Sequence, residues 1–393
     1  MNKITIIGIN DHQPNFSDEV KELINNASFF AGGKRHYELI KGLLPLGHGW
    51  FNIVVPISSL IDQLKRAKGT SVVFASGDPL FFGIANTIKR ELPDFEIKVH
   101  SSFNALQILA HRFALPYGEF QTITLTGRSF AKFDKALIEG VEKMGILTDR
   151  KNTPQTIVRR MLDYGYNNYQ MYYGEHLGGD KERILKLSLD DAIKLDFKHP
   201  NCFYLEKTNK HIPQKGIPET DFEPLNGRPR MITKMPIRLS TLALMQLERK
   251  THLWDVGACT GSISIEAKLQ HPHLKVSAFE IREESKGIIK CNAQKFQSPG
   301  IDLYSGDYLK VDKSKLNMCD AVFIGGYGGQ LDAVLDDVKQ YLQKDGILAF
   351  NSVSEKSKFG FINWCESNAF DLIHQTQIAV DAHNPITVLV AKK

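Results

Sequence analysis

The chain is poor in the features that would place it outside ordinary globular chemistry. Its five cysteines (Cys202, Cys259, Cys291, Cys319, Cys365) are scattered through 393 residues and include no Cys-x-x-Cys pair. That excludes a disulfide framework, and free thiols in a reducing cytoplasm are the expected state. No clustered His/Cys/Glu spacing suggests a metal site. No stretch approaches the roughly 20 apolar residues of a membrane helix, and the opening apolar run over 4–9 is too short for a secretory core. Excess charge is missing too: the net charge is +5, with no Arg/Lys tail. Nucleic-acid binding gains little from that, whereas a polyanionic small substrate is compatible with it. With 42% hydrophobic and 24% charged residues, the composition is that of a soluble globular enzyme, and the length predicts two or three domains.

Residues 253–264, Leu-Trp-Asp-Val-Gly-Ala-Cys-Thr-Gly-Ser-Ile-Ser, are the most informative stretch. An apolar strand meets a glycine-bearing turn, and a helical pattern opens at Ser262. Gly257 and Gly261 lack a Cβ that would hold a ligand off the backbone, and the new helix offers free N–H groups. Glu280 ends the next apolar run, where α/β cofactor domains place the acceptor for ribose hydroxyls. Because Asp-x-Gly-x-x-x-Gly begins with a carboxylate, Asp255, it would repel a pyrophosphate. S-adenosylmethionine, with its cationic amino acid and sulfonium, fits better. Asp307, in Ser-Gly-Asp after a third apolar stretch, is placed to meet an adenine amino group, and 319–326 reads as a fourth, buried strand ending in a loop. Strands alternating with helical patterns imply a parallel sheet with its site at the carboxyl-end loops.

The first half carries different signals. Strands are predicted over 4–9, 72–75 and 97–100, with a helix over 18–27 capped by Ser17. The second of these strands runs into Ser76-Gly77-Asp78-Pro79, where Gly77 and Pro79 allow Asp78 to face a ligand over the strand end. Taken alone, the string reads rather as a turn in which Asp78 bonds its own backbone. Ser101 and Ser102 read either as hydroxyl donors at the same edge or as a cap for a helix over 104–113. The spacing then predicts a joint at 115–118, a strand over 122–125, a helix over 157–163, a loop followed by a short helix over 174–185, and a strand over 203–205. Residues 209–230, rich in proline and charge, read as an interdomain linker. No internal repeat relates the halves.

The first half resembles the tetrapyrrole (precorrin) methylase family over residues 2–208. It does so through Gly8, Ala31-Gly32-Gly33-Lys34-Arg35, Ala75-Ser76-Gly77-Asp78-Pro79-Leu80-Phe81-Phe82-Gly83, Ser101-Ser102, Gly127-Arg128, Thr153-Pro154 and Glu175-His176-Leu177-Gly178. The Ser-Gly-Asp-Pro-Leu-Phe-Phe-Gly string is similar to the branch that methylates carbon 5 of the cobalamin precursor. Residues 231–393 resemble the Rossmann-like methyltransferase that acts at carbon 15 and decarboxylates the ring C acetate. That match runs through Ile232-Thr233-Lys234, 253–264, Glu280, Asn292-Ala293, Gly306-Asp307, 323–326 and Asn384-Pro385. Three positions depart from the pattern: only Gly8 of the family's first loop is kept, Thr126 stands where histidine is frequent, and Cys259 stands where glycine is usual.

The resemblance implies an α/β chain: a two-lobed tetrapyrrole methylase fold over 1–208, a linker over 209–230, and a Rossmann-like S-adenosylmethionine-dependent methyltransferase domain over 231–393. It also implies a homo-oligomer. The expected cofactor residues are Gly8, Gly77, Asp78, Pro79, Leu80, Ser101 and Ser102 in the first half, with Thr233, Asp255, Gly257, Gly261, Glu280 and Asp307 in the second. The expected substrate is a macrocycle bearing acetates and propionates, in metal-free or cobalt-containing form. Binding its carboxylates needs Arg or Lys at the rim, for which the candidates are Lys34, Arg35, Arg128, Lys234 and Arg238. No catalytic acid is named by the sequence. The competing readings are an RNA methyltransferase, which lacks the basic and aromatic interleaving of a strand binder, and a non-catalytic tetrapyrrole carrier.

Overall fold

A computed structural model describes residues 3–228, 231–381 and 384–393. The chain groups into two compact units. One comprises Met1–Arg128, Glu142–Val158 and Tyr169–Thr208, and the other Ser129–Val141, Arg159–Asn168 and Asn209–Lys393.

The first unit holds two five-stranded sheets. β1 (Lys3–Ile9), β2 (Phe29–Gly32), β3 (Trp50–Asn52), β4 (Thr70–Ser76) and β5 (Glu96–His100) form an all-parallel sheet in the order β3-β2-β4-β1-β5. β1 and β4 are β-branched, apolar and buried along most of their length, as central parallel strands covered on both faces must be. Ser17 caps the helix Asp18–Asn25 as predicted, accepting the Val20 amide. The helix Ala105–Phe113 is capped instead by Asn104, which exchanges bonds with Gln107 in a capping box. Ser101 and Ser102 therefore do not cap it.

β6 (Gln121–Thr124), β7 (Lys143–Leu147), β8 (Tyr169–Glu175), β9 (Arg183–Ser188) and β10 (Asn201–Lys207) form a mixed sheet in the order β6-β7-β10-β8-β9. The loop and short helix expected over 174–185 are corrected here. Gly174 and Glu175 end β8, and Arg183 to Leu185 begin the antiparallel β9. Gly174 obscured that strand in the sequence, yet it is needed there: a Cβ would lie 2.7 Å from a Leu109 methyl.

The second unit is built on seven strands: β11 (His252–Val256), β12 (Lys275–Glu280), β13 (Ile301–Ser305), β14 (Cys319–Ile324), β15 (Leu342–Ser352), β16 (Asp371–Ile378) and β17 (Ile386–Lys392). The order is β13-β12-β11-β14-β15-β17-β16, parallel through β15, with the last two pairings antiparallel. One side of the sheet buries Trp254, Phe279, Val322 and Phe361, and the other Leu253, Ile263, Val276 and Phe323.

The segment read as a linker is ordered against this unit. Ile217, Phe222 and Leu225 are buried, and Ile217 and Phe222 pack with Ile265 and Leu269. Its amides at Gly216 and Ile217 donate to the Glu266 carboxylate at 2.7 and 3.2 Å. Arg238, wholly buried, completes the knot. It pairs with Glu266 at 3.4 Å, donates to the Thr233 and Ile217 carbonyls, and stacks over Phe222. Pro229 and Arg230, the last two residues of the expected linker, lie outside the described residues.

Removing Arg238 leaves a buried carboxylate without its cation. Arg238→Ala should lower the unfolding free energy by about 3–5 kcal/mol, read from denaturant titration. A change within experimental error would show that Glu266 is satisfied by the two backbone amides and the Gln270 side chain, which donates to it at 3.0 Å.

Candidate functional site

Each unit has a cavity at the carboxyl ends of its parallel strands. In the second unit it measures about 630 Å³ and is lined by Asp255, Gly257, Cys259, Glu280, Asp307 and Thr233, among others. All but one of the six sites expected in this half therefore share one space. Gly261 is the exception: it does not line the cavity but caps the helix Ser262–Gln270 in the left-handed conformation, φ +78°.

The turn is glycine-bearing for reasons of packing. A Cβ on Gly257 would lie 2.4 Å from the Gly326 amide nitrogen, and φ there is +79°. Gly257 lines the cavity, and the chain's own backbone also needs the space that a Cβ there would fill. Cys259 also has a positive φ, +54°, which is why glycine suits this position and why cysteine costs roughly 1–2 kcal/mol of strain here. Its thiol contacts the Met231 carbonyl at 3.0 Å, and burial, reinforced by Glu280, pushes it up to about 11.

Asp255 is wholly buried at the end of β11. Its Oδ2 accepts the Ser264 amide at 3.1 Å and hydroxyl at 2.6 Å, while Oδ1 has no partner. Burial pushes its pKa up to about 7, against the lowering effect of the Ser264 bonds. Glu280 accepts the Cys259 amide on Oε2 and the Arg282 amide and guanidinium on Oε1. Two carboxylate oxygens offer about four lone-pair sites, so acceptor capacity remains for a hydroxyl. The orphaned Oδ1 of Asp255, Glu280 across the turn, and the first amides of the helix, which lack intrahelical acceptors, fit an adenosyl amino acid with a cationic end. Asp307 spends Oδ1 on the Leu309 amide, 3.1 Å away, and keeps Oδ2 beside Lys310 at 3.6 Å.

The first unit's cavity is about 220 Å³ and is lined by Asn10, Asp11, Arg35, Ser76, Gly77 and Asp78, among others. Gly8, Pro79, Leu80, Ser101 and Ser102 do not line it. Gly8 is instead a packing requirement, since a Cβ would fall 1.8 Å from the Gly77 carbonyl oxygen. Asp78 does accept its own turn's Leu80 amide at 2.9 Å, so the local-turn reading holds alongside its place in the cavity wall. Ser102 donates its amide to Gly77 at 3.2 Å.

The cationic candidates separate. Arg35 reaches the smaller cavity, salt-bridged to Asp11 and bonded to Ser76. Lys34 is exposed. Arg128 is exposed beside the Phe82 ring, 5.9 Å from its centroid. Lys234 pairs with Glu219 at 3.0 Å. Arg238 is withdrawn from a rim role, because it is wholly buried and both of its Nη nitrogens are spent on the knot around Glu266. Polar residues lining the larger cavity that were missed include Thr260 and Asn351, whose Oγ1 and Nδ2 are buried without a partner. Thr260 was available from the glycine turn itself, and Asn351 from the polar end of the apolar run that forms β15.

Comparison with known proteins follows the same division. Residues 227–390 match the precorrin methyltransferase domain, and residues 17–193 match the tetrapyrrole (corrin/porphyrin) methylases. A cobalt-precorrin-6B C(15)-methyltransferase (decarboxylating) of Salmonella typhimurium is 33% identical over 181 residues, 43% of this chain and 93% of that protein. The chain belongs to the precorrin methyltransferase family. A precorrin-6Y C(5,15)-methyltransferase [decarboxylating] of Sinorhizobium sp is 29% identical over 360 residues, 89% of this chain and 84% of the relative. A crystal structure of precorrin-6Y C5,15-methyltransferase from Geobacter metallireducens GS-15 is 27% identical and covers 45% of this chain and 96% of its own, with a TM-score of 0.42. No helix among the described residues is long and apolar enough to cross a membrane.

The buried carboxylate gives this family member a measurable signature. With its pKa raised from near 3.9 unfolded to about 7 folded, Asp255 binds more protons in the folded state between those values. Its stabilising contribution is therefore complete below about pH 4 and is lost as pH rises through 7, with a slope of at most about 1.4 kcal/mol per pH unit. Asp255→Asn should remove that slope from the pH dependence of thermal unfolding. An unchanged profile would place the titration elsewhere.

Proposed function

We propose that this chain methylates precorrin-6Y at carbons 5 and 15, using S-adenosylmethionine, and decarboxylates the ring C acetate, whose carboxylate leaves as carbon dioxide while its remaining carbon takes up a proton and stays as a methyl, a step of corrin-ring synthesis in the cytoplasm. The observation that carries the reading is the pairing, in one polypeptide and in this order, of both matched domains, each with a cavity at the carboxyl edge of a parallel sheet. The Sinorhizobium relative, whose name states both methylations, aligns across most of both chains. Residues 1–208 are assigned to carbon 5 and 231–393 to carbon 15 and decarboxylation, with 209–230 between them.

When bound, S-adenosylmethionine supplies an electrophilic methyl group to an electron-rich ring carbon. The protein's part is to position, to exclude water and to manage charge. In the second unit Asp255 would hold the cationic amino-acid end, Glu280 the ribose hydroxyls and Asp307 the adenine, with Thr233 and Gly257 in the walls. In the first, Gly77 and Asp78 would line the cofactor's place, with Gly8, Pro79, Leu80, Ser101 and Ser102 shaping the loops around it. Arg128, Lys34 and Lys234 are assigned to the macrocycle's carboxylates, while Arg35, held by Asp11 and Ser76, stands in the cavity wall. The protein would act as a homo-oligomer.

Mass spectrometry of precorrin-6Y after incubation with the full chain and S-adenosylmethionine tests the reading. Two methyl gains and one loss of carbon dioxide are expected, and the same assay with the cobalt form decides between the two substrates. Glu280→Gln in the full chain should weaken one of two cofactor sites by about 1.5–3 kcal/mol. At sub-saturating cofactor it should slow carbon 15 methylation while sparing carbon 5. Methylation of RNA with the macrocycle untouched would overturn the proposal.

A further inference from the structure

Ser76 ends β4 at the wall of the smaller cavity and is held by two neighbours that can only donate to it. Arg35 Nη2 lies 2.9 Å from its Oγ, and a guanidinium has no acceptor. His36 Nε2 lies 3.0 Å away, and the ring's tautomer is set on its other side. The Gly33 amide donates to Nδ1 at 3.2 Å, so the ring proton sits on Nε2 and that nitrogen cannot accept. Burial and the Arg35 charge hold the ring neutral, with its pKa lowered to about 4, and its one N–H, on Nε2, is shared between the Ser76 hydroxyl and the Phe74 carbonyl. Both lone pairs of the Ser76 oxygen are thus met by donors, and its own proton has neither neighbour to go to. Ser76 is exposed and faces the cavity that Asn10, Asp11 and Gly77 also line. Arg35, tied to Asp11 on its other nitrogen, is fixed in this orientation.

We infer that Ser76 is a preset hydrogen-bond donor to a ligand carboxylate in the first unit's cavity, kept in that state by Arg35 and His36. A hydroxyl that accepts from a cation is a stronger donor than a free one, and its best partner is an anionic oxygen. On the proposed function, on which this inference rests, two sources carry that oxygen: the methionine part of the cofactor, and an acetate or propionate of the macrocycle. Ser76 binds; His36 and Arg35 position it.

The test uses the full chain, with S-adenosylhomocysteine in calorimetry and precorrin-6Y in direct binding by absorbance. Ser76→Ala should weaken one of the two ligands about tenfold. Loss at one S-adenosylhomocysteine site assigns the oxygen to the cofactor, and loss for precorrin-6Y assigns it to the macrocycle. Ser76→Thr, which keeps the hydroxyl, should restore binding to within about threefold of wild type. Both dissociation constants unchanged in Ser76→Ala would overturn the inference. So would ¹⁵N NMR showing His36 with its proton on Nδ1, since Ser76 would then donate to the ring. Wild-type chain that binds precorrin-6Y without methylating it would sink the functional reading, while the binding arms still decide the role of Ser76.

Discussion

Both cavities depend on one steric constraint: where two adjacent parallel strands end, the end of one or the loop that follows it must touch the other loop backbone to backbone. In the second unit β11 and β14 are neighbours, and Gly257 after the first packs its α-carbon against Gly326 after the other. In the first unit β1 and β4 are neighbours, and Gly8 packs against the Gly77 carbonyl. Any side chain at Gly257 or Gly8 would meet main-chain atoms, which cannot swing aside as a side chain can. The loops would part, and the cavity residues they carry would separate: Cys259 from Tyr327 in one unit, Asp11 from Asp78 in the other. Two unlike folds therefore reach a ligand-sized space at the sheet edge by the same device.

That constraint explains how much of the site could be read from the sequence. Strands β1, β4, β11, β12 and β14 were legible because buried parallel strands are nearly continuous apolar runs, and a glycine or carboxylate at their ends marks the loop. The reason for the glycines was not legible, since sequence shows that a Cβ is absent without showing whether a ligand or a neighbouring backbone excludes it. Arg238 failed for a related reason. A cation in a polar segment reads as a rim residue, and only the fold reveals Glu266, on another helix, holding it in the core. The strap over 209–228 carries its anchors, Ile217, Phe222 and Leu225, at irregular spacing because it follows a neighbouring surface and not its own helix or strand period. β8 and β9 were obscured by Gly174 and by the polar residues of the half-exposed β9.

Charge is handled differently in the two cavities. In the second unit Asp255 stands buried with one oxygen unmet, and Arg282 covers Glu280 from the cavity side. Such a site gains most from a ligand that brings its own positive charge, because the cost of burying the carboxylate is already spent in the fold. In the first unit Asp11 is neutralised by Arg35, and that pair together with neutral His36 leaves a hydroxyl as the group on offer. The larger cavity favours a cationic end and the smaller an anionic oxygen, demands that a zwitterionic amino acid bound separately in each, or two different molecules, can meet.

The glycine turn also shows which positions of a motif can drift. Gly257, Cys259 and Gly261 all have positive φ, so all three would be glycine if backbone conformation alone decided. They differ in what surrounds the missing Cβ. At Gly257 the obstacle is backbone at 2.4 Å, and at Gly261 it is the Ile289 side chain at 3.1 Å. Cys259 has room for its Cβ and places Sγ against the Met231 carbonyl. Left-handed strain of roughly 1–2 kcal/mol is within what a folded domain tolerates, whereas a collision with backbone would break the turn. Position 259 is therefore where this motif could lose its glycine while keeping its geometry, and the two glycines beside it are held by packing as well as by φ.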